Sequence, residues 1–200
     1  MKLSTLTTLG LAAALILTAT SEAQNVTFRA KVENSSGNNV HVVACTNTRL
    51  TSNTINLRGF HGMQVLIQGK VLSMGNSPLI QVNSIKTVAR TFEIGGNAKI
   101  GREFSIHVAH TPGSFFAAYL SATGRSTMIP LGRLGVFFIR DAFTALTGRV
   151  PAGGIFQQKV NIPNDSRLVG LKILGQAAIV PPSSRALFLS NPSCKTVRSR

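Results

Sequence analysis

VNIPNDSRLVGLKILGQAAIV (residues 160–180) is the longest stretch of the chain with a single structural reading. Val160 and Ile162 end one extended run. Pro163, Asn164 and Asp165 then supply turn chemistry, a fixed φ followed by two side chains that bond nearby backbone. In the second run Val169, Leu171, Ile173, Gly175, Ala177 and Ile179 fall on odd positions, and Gly170, Lys172, Leu174 and Gln176 on even ones. Side chains alternate faces along a strand, so the pattern predicts a long strand with one dry and one mixed face. It reads as the central strand of a sandwich, paired with its predecessor through the short turn.

The preceding residues have the same character. Phe104, Ile106 and Val108 alternate, and Phe115 to Ser121 is apolar on both faces, as in a strand buried between layers. Another apolar run spans Leu134 to Ile139, and Asp141 to Leu146 fits a short strand or one helical turn. Turn signals recur at about the 8–12-residue spacing of sandwiches, and no amphipathic helical segment of useful length interrupts them. Earlier still, Val26, Phe28, Ala30 and Val32 alternate with Arg29 and Lys31, and Val40 to Cys45 returns after a turn cluster. Met63, Val65, Ile67, Gly69 and Val71 line one face of the next run, and Leu79 to Val88 follows a Gly-Asn-Ser-Pro turn. Short, curved strands punctuated by glycine suit a small barrel. The expected fold is all-β: a barrel over residues 24–92, then an antiparallel β-sandwich over residues 93–200.

Two resemblances accompany this reading. The pattern from Leu57 to Val88, a Leu and a Gly before a β run with a mid-strand Gly, a turn and a second β run, resembles OB-fold proteins. VNIPND, LVGL, GQAAIV and LFLSNPSC, within Gly101 to Cys194, are similar to the closing segment of a group of exported bacterial hypothetical proteins. Many of these come from planctomycete-like or myxobacterial genomes. The resemblance implies a closing β-sandwich module and no particular activity.

Residues 1–23 are expected to be a cleaved signal peptide. Lys2 precedes an apolar core from Leu9 to Leu17, and Ser21-Glu22-Ala23 places small residues at −3 and −1. No later segment resembles a membrane span. The expected location is secreted, periplasmic or otherwise extracytoplasmic. The chain carries 21 Lys and Arg against 6 Asp and Glu, a net charge of +15. Such an excess attracts polyanions: nucleic acid, anionic envelope polymers or acidic lipid. The bases are scattered along the sequence, with Lys195, Arg198 and Arg200 the one close group, at a terminus expected to fray. Without tryptophan and with a single tyrosine, the chain does not suit a sugar-binding module lined by aromatic platforms. Cys45 and Cys194 allow one pairing; an exported protein favours the bridge, and two buried thiols are the alternative. No spacing suits zinc.

Catalytic chemistry is thinly represented. Glu33, Glu93, Glu103, Asp141 and Asp165 each fall in or beside a different element, so no carboxylate pair is implied. His107 and His110 face opposite ways on a strand, with His107 toward water, and form no metal pair. No catalytic residue, metal or cofactor is expected. The best binding constellation lies on the barrel. Arg58, Phe60 and His61 sit on a loop, with Arg29, Lys31 and Lys70 on outward faces, the ingredients of stacking and charge. The expected function is a non-enzymatic binding or structural module of the envelope or extracellular space. The alternative is a polyanion binder, for an acidic glycan or extracellular nucleic acid, working through that barrel face. Partners are expected among anionic envelope polymers or other exported proteins. Nucleic acid fits less well, because exported proteins rarely meet it.

Overall fold

The computed structural model describes residues 24–35, 40–184 and 186–200, so the expected signal peptide lies outside the described residues. The first unit contains β1 (Asn25–Asn34), β2 (His41–Val43), β3 (Arg49–Thr51), β4 (Gln64–Ser73) and β5 (Leu79–Thr87). These close in the order β1-β2-β3-β5-β4, with β4 returning to β1 and only β3 and β5 parallel. This is a five-stranded barrel of the OB type. Period-two alternation builds it: Val26, Phe28, Ala30, Val32, Val65, Ile67, Val71, Ile80 and Val82 all point inward and are buried. Gly69 is required by close approach. A Cβ there would lie 2.4 Å from the Gln81 carbonyl oxygen, beside a register shift in the β4–β5 ladder. A 3₁₀ turn at Leu57–Phe60 links β3 to β4 and packs Leu57 and Phe60 on the barrel core.

The second unit begins with β6 (Phe92–Gly95), β7 (Glu103–Ala109), β8 (Phe115–Ser121), β9 (Ser126–Pro130) and β10 (Val136–Ile139). It continues with β11 (Phe143–Arg149), β12 (Ile155–Asn161), β13 (Lys172–Val180), β14 (Phe188–Leu189) and β15 (Ser193–Thr196). One sheet runs β12-β7-β6. The other runs β11-β8-β13, with β14 and β15 sharing the far edge of β13. Phe92, Ile94, Phe104, Ile106, Val108, Phe116, Ala118, Ala177 and Ile179 fill the space between them. β13 is therefore a central strand, as its apolar run predicts. Gly175 on its inner face leaves room for Phe92 and Leu120, each of which would lie 2.8 Å from an added Cβ.

Three expectations are corrected. The first concerns the turn at Pro163–Asp165, which makes no hairpin: β12 pairs with β7, and β13 pairs with β8, β14 and β15. Between them the chain crosses from one sheet to the other. Asp165 caps a 3₁₀ turn at Ser166–Leu168, accepting from the Arg167 N–H while its carboxylate holds the Arg167 guanidinium. The second concerns the mixed face of β13, which is not wet: Leu174 and Gln176 are fully buried. The β9–β10 hairpin covers that face. Its Met128, Val136 and Phe138 belong to the barrel core, with Phe138 edge-on to Phe28 at 5.5 Å. Sequence residues inside the sandwich unit thus complete the barrel. The third concerns the C-terminus, which is pinned rather than frayed. Val197 is buried, and backbone bonds join it to Gly170 and Leu171 and join Arg198 to Ala98 and Ile100.

Polar keys lock these layers. The Gln176 side chain accepts from the Phe138 N–H and donates to the Val136 and Ser190 carbonyls, tying β13 to the hairpin beneath it. Asn191 accepts from the Thr91 and Phe92 N–H groups and donates to the Phe92 carbonyl, joining the two sheets where β6 starts. Cys45 and Cys194 form a disulfide between barrel and sandwich, with Cα atoms 5.6 Å apart.

Two histidines should make the fold acid-sensitive. His41 lies near Asn34 Oδ1 and His110 near Ser114 Oγ. Burial is the main cause lowering both pKa values below the ordinary 6.5, helped by Arg58 and His61 for His41 and by Arg29 for His110. The folded state thus favours the neutral rings, whereas the unfolded chain protonates first as pH falls. Their contribution is complete above about pH 6.5 and is lost as pH drops through the folded values. Thermal unfolding at pH 7 and pH 5 should show a lower midpoint at pH 5, and His41→Gln with His110→Gln should shrink that difference. An unchanged difference would assign the acid sensitivity to other groups.

Candidate functional site: a basic furrow

The six barrel residues expected to bind do not converge. Arg29 turns toward the sandwich, its guanidinium 5.0 Å over the Phe188 ring, and burial lowers its pKa. Lys31 donates to Glu33 at 2.9 Å. Lys70 pairs with Asn25, whereas Lys31 pairs with Gln64. Six residues of β1 separate them, about 20 Å along a strand. Arg58, Phe60 and His61 do sit together at the Val32 end of the barrel, through the Val32–His61 bridge. Phe60, however, is half-buried against the core, so its ring is committed to packing.

A more continuous feature runs along the sandwich. It starts in a cleft of about 220 Å³ between barrel and sandwich, walled by Lys31, Glu33, Arg90, Glu93, the disulfide and Lys195. Cys194 and Lys195 are shared with a second cleft of about 340 Å³, which adds Asn97, Lys99, Thr196 and Arg198. Asn97 and Lys99 are shared in turn with a third, of about 650 Å³, bounded by Arg102, Glu103 and Asn161. Sharing these walls, the three clefts adjoin in a row, and together they make up the basic furrow. The parallel bridge between Lys99 and Arg198 forms its middle, and the Arg200 guanidinium lies against Gly101.

Charge along the furrow is one-sided. Its acids are engaged: Glu33 by Lys31, Glu93 by Arg90, and Glu103 by Lys159 at 3.2 Å. Among the described residues no ion pair holds Lys99, Arg102, Lys195 or Arg198. Fixed bases in a concave, partly desolvated wall concentrate positive potential. Sequence reasoning missed this group because it needs two segments almost 100 residues apart. Their local signals, Lys99 with Arg102 and Lys195 with Arg198, were visible separately.

One further cleft, of about 360 Å³, lies on the outer face of β6 and β7 beside Arg90, Glu93, His107 and Ile155. His107 does not simply face water. Its Nδ1 is 4.0 Å from Glu93, and its Nε2 is buried over Gly95 without a hydrogen-bond partner. Among the described residues no three His, Cys, Asp or Glu side chains are placed to share a metal ion. Nor, among them, is any helix long and apolar enough to cross a membrane. No family model, no curated protein and no solved structure matches the chain.

Proposed function

We propose that the chain is an extracytoplasmic, non-enzymatic binding module, and that its partner is an acidic polymer laid along the furrow. The observation that carries this reading is the convergence of Lys99, Arg102, Lys195 and Arg198 on adjoining clefts, with no acid paired to them among the described residues. An elongated groove with repeated bases suits a chain of regularly spaced anions better than one small anion. The structural disulfide favours an oxidising compartment. Acidic glycans of the envelope are the favoured class. Nucleic acid is the second, and it lacks support from stacking, since among the described residues no exposed aromatic lines the furrow.

The test is retention on heparin and on polyglutamate at rising salt. Binding through surface charge should weaken steeply, because screening shortens to about 3 Å at 1 M salt. Lys195→Glu with Arg198→Glu should lower affinity about tenfold or more at low salt, whereas Lys70→Glu with Lys86→Glu should change it less than about threefold. Equal losses from both pairs would mean that net charge, not the furrow, holds the polymer.

A further inference from the structure

The β9–β10 hairpin has an outer side that the fold covers only in part: Phe137 packs edge-on against Tyr119, and the tip beyond it is exposed. Its inner side is anchored: Met128, Val136 and Phe138 are buried in the barrel core, and Gln176 holds the backbone of Val136 and Phe138. Its tip is Leu131-Gly-Arg-Leu-Gly135, and Ile129, Leu131 and Leu134 are 45%, 40% and 40% exposed. The hairpin runs from Phe138, beside Phe28, to Gly135, against the Thr27 carbonyl, and so heads toward the start of β1. Lys70 faces Asn25 at that end, and Leu72 and Met74 beyond it are 48% and 55% exposed. The hairpin tip and the end of β4 thus lie toward the same end of β1, and between them they carry five exposed large apolar side chains.

The charges at these tips are basic: Arg133 lies in the hairpin tip and Lys70 on β4, and residues 127–138 and 66–79 contain no Asp or Glu, whereas Arg125, Arg140 and Asp141 flank the opposite end of the hairpin. A protein partner of ordinary composition does not require that sign. An apolar layer beneath a negatively charged one does, since leucines enter the acyl boundary while bases stay among anionic head groups. We propose that this end of the barrel docks on an anionic lipid surface, with Leu131 and Leu134 inserted and Arg133 and Lys70 at head-group level. The furrow lies on the sandwich and plays no part in this contact.

Because the chain contains no tryptophan, Leu134→Trp installs a single reporter. On adding phosphatidylglycerol–phosphatidylcholine vesicles to the purified protein, its emission should shift to the blue and be quenched by brominated acyl chains. Pure phosphatidylcholine vesicles should do neither. In co-sedimentation, Leu131→Ser with Leu134→Ser should lower partitioning about tenfold or more, and Arg133→Glu should weaken it further at low salt. Lys195→Glu with Arg198→Glu should leave it within about twofold, which separates this surface from the furrow. These side chains are exposed, so an unchanged unfolding midpoint should verify folding of each variant. Absent binding, equal binding to both vesicle types, unaltered binding of the double serine variant, or a tip that proves to hold a second copy of the chain in sedimentation equilibrium would overturn the proposal.

Discussion

Denatured, unreduced protein should show no reactive thiol, and Cys45→Ser should lower the unfolding midpoint more than any other single change. The bridge closes 149 residues of chain separation and ties the barrel to the last strand of the sandwich. In the chain-entropy account a loop of that size removes about 5 kcal/mol of unfolded-state freedom. For a domain of this length that corresponds to a drop of about 10–20 °C. The junction should also loosen. Arg90 lies in the short linker between β5 and β6 and is exposed, so trypsin should cut there sooner in Cys45→Ser than in the parent. A midpoint within about 2 °C of the parent would mean that the bridge constrains little beyond what the interface already fixes.

Gln176→Leu should be the most damaging non-cysteine change. The substitution is nearly isosteric, so it opens no large cavity. It does strand the Phe138 N–H and leave the Val136 and Ser190 carbonyls without their donor, all in a buried layer. Each buried polar group left unmade costs about 1–3 kcal/mol, and together they should remove about 3–5 kcal/mol. Gln176→Glu should also destabilise, because a carboxylate can accept from Phe138 but cannot donate to two carbonyls. Urea unfolding gives both values. Losses below about 1 kcal/mol would show that the hairpin is held by apolar contact alone.

This glutamine also shows where sequence reading reaches its limit. Alternation is a local property, and it identified β1, β4, β7 and the inner face of β13 from residues such as Phe28, Ile67, Ile106 and Ala177. It recovered the barrel and the sandwich, while the cysteine pairing that links them was legible from two cysteines in a chain expected to be exported. It could not tell a mixed face turned to water from one turned to a polar key. Lys172 and Gln176 read alike on one strand, yet one reaches the Cys45 carbonyl at the edge and the other is fully buried. The turn at Pro163–Asp165 failed for a related reason. Its chemistry specifies that the chain bends, not whether the following strand rejoins the same sheet. At the furrow the obstacle was distance, since Lys99 meets Arg198 through a bridge that no local window contains. On the barrel the obstacle was the partners of the bases, since Arg29 is taken up by Phe188 and Lys31 by Glu33.

The hairpin that completes the barrel arrives late. Every strand of the barrel has been synthesised by Thr87, yet Met128, Val136 and Phe138 follow only after about 40 to 50 more residues. At translation speeds of about 5–20 residues per second, the barrel waits roughly 2 to 10 s with the Phe28 side of its core uncovered. The amino-terminal unit, despite its closed strand order, thus lacks part of its core cover until the hairpin has been made. A nascent chain stopped after Thr87 should expose apolar surface to dye and to chaperones, and one extended past Ile139 should bury it.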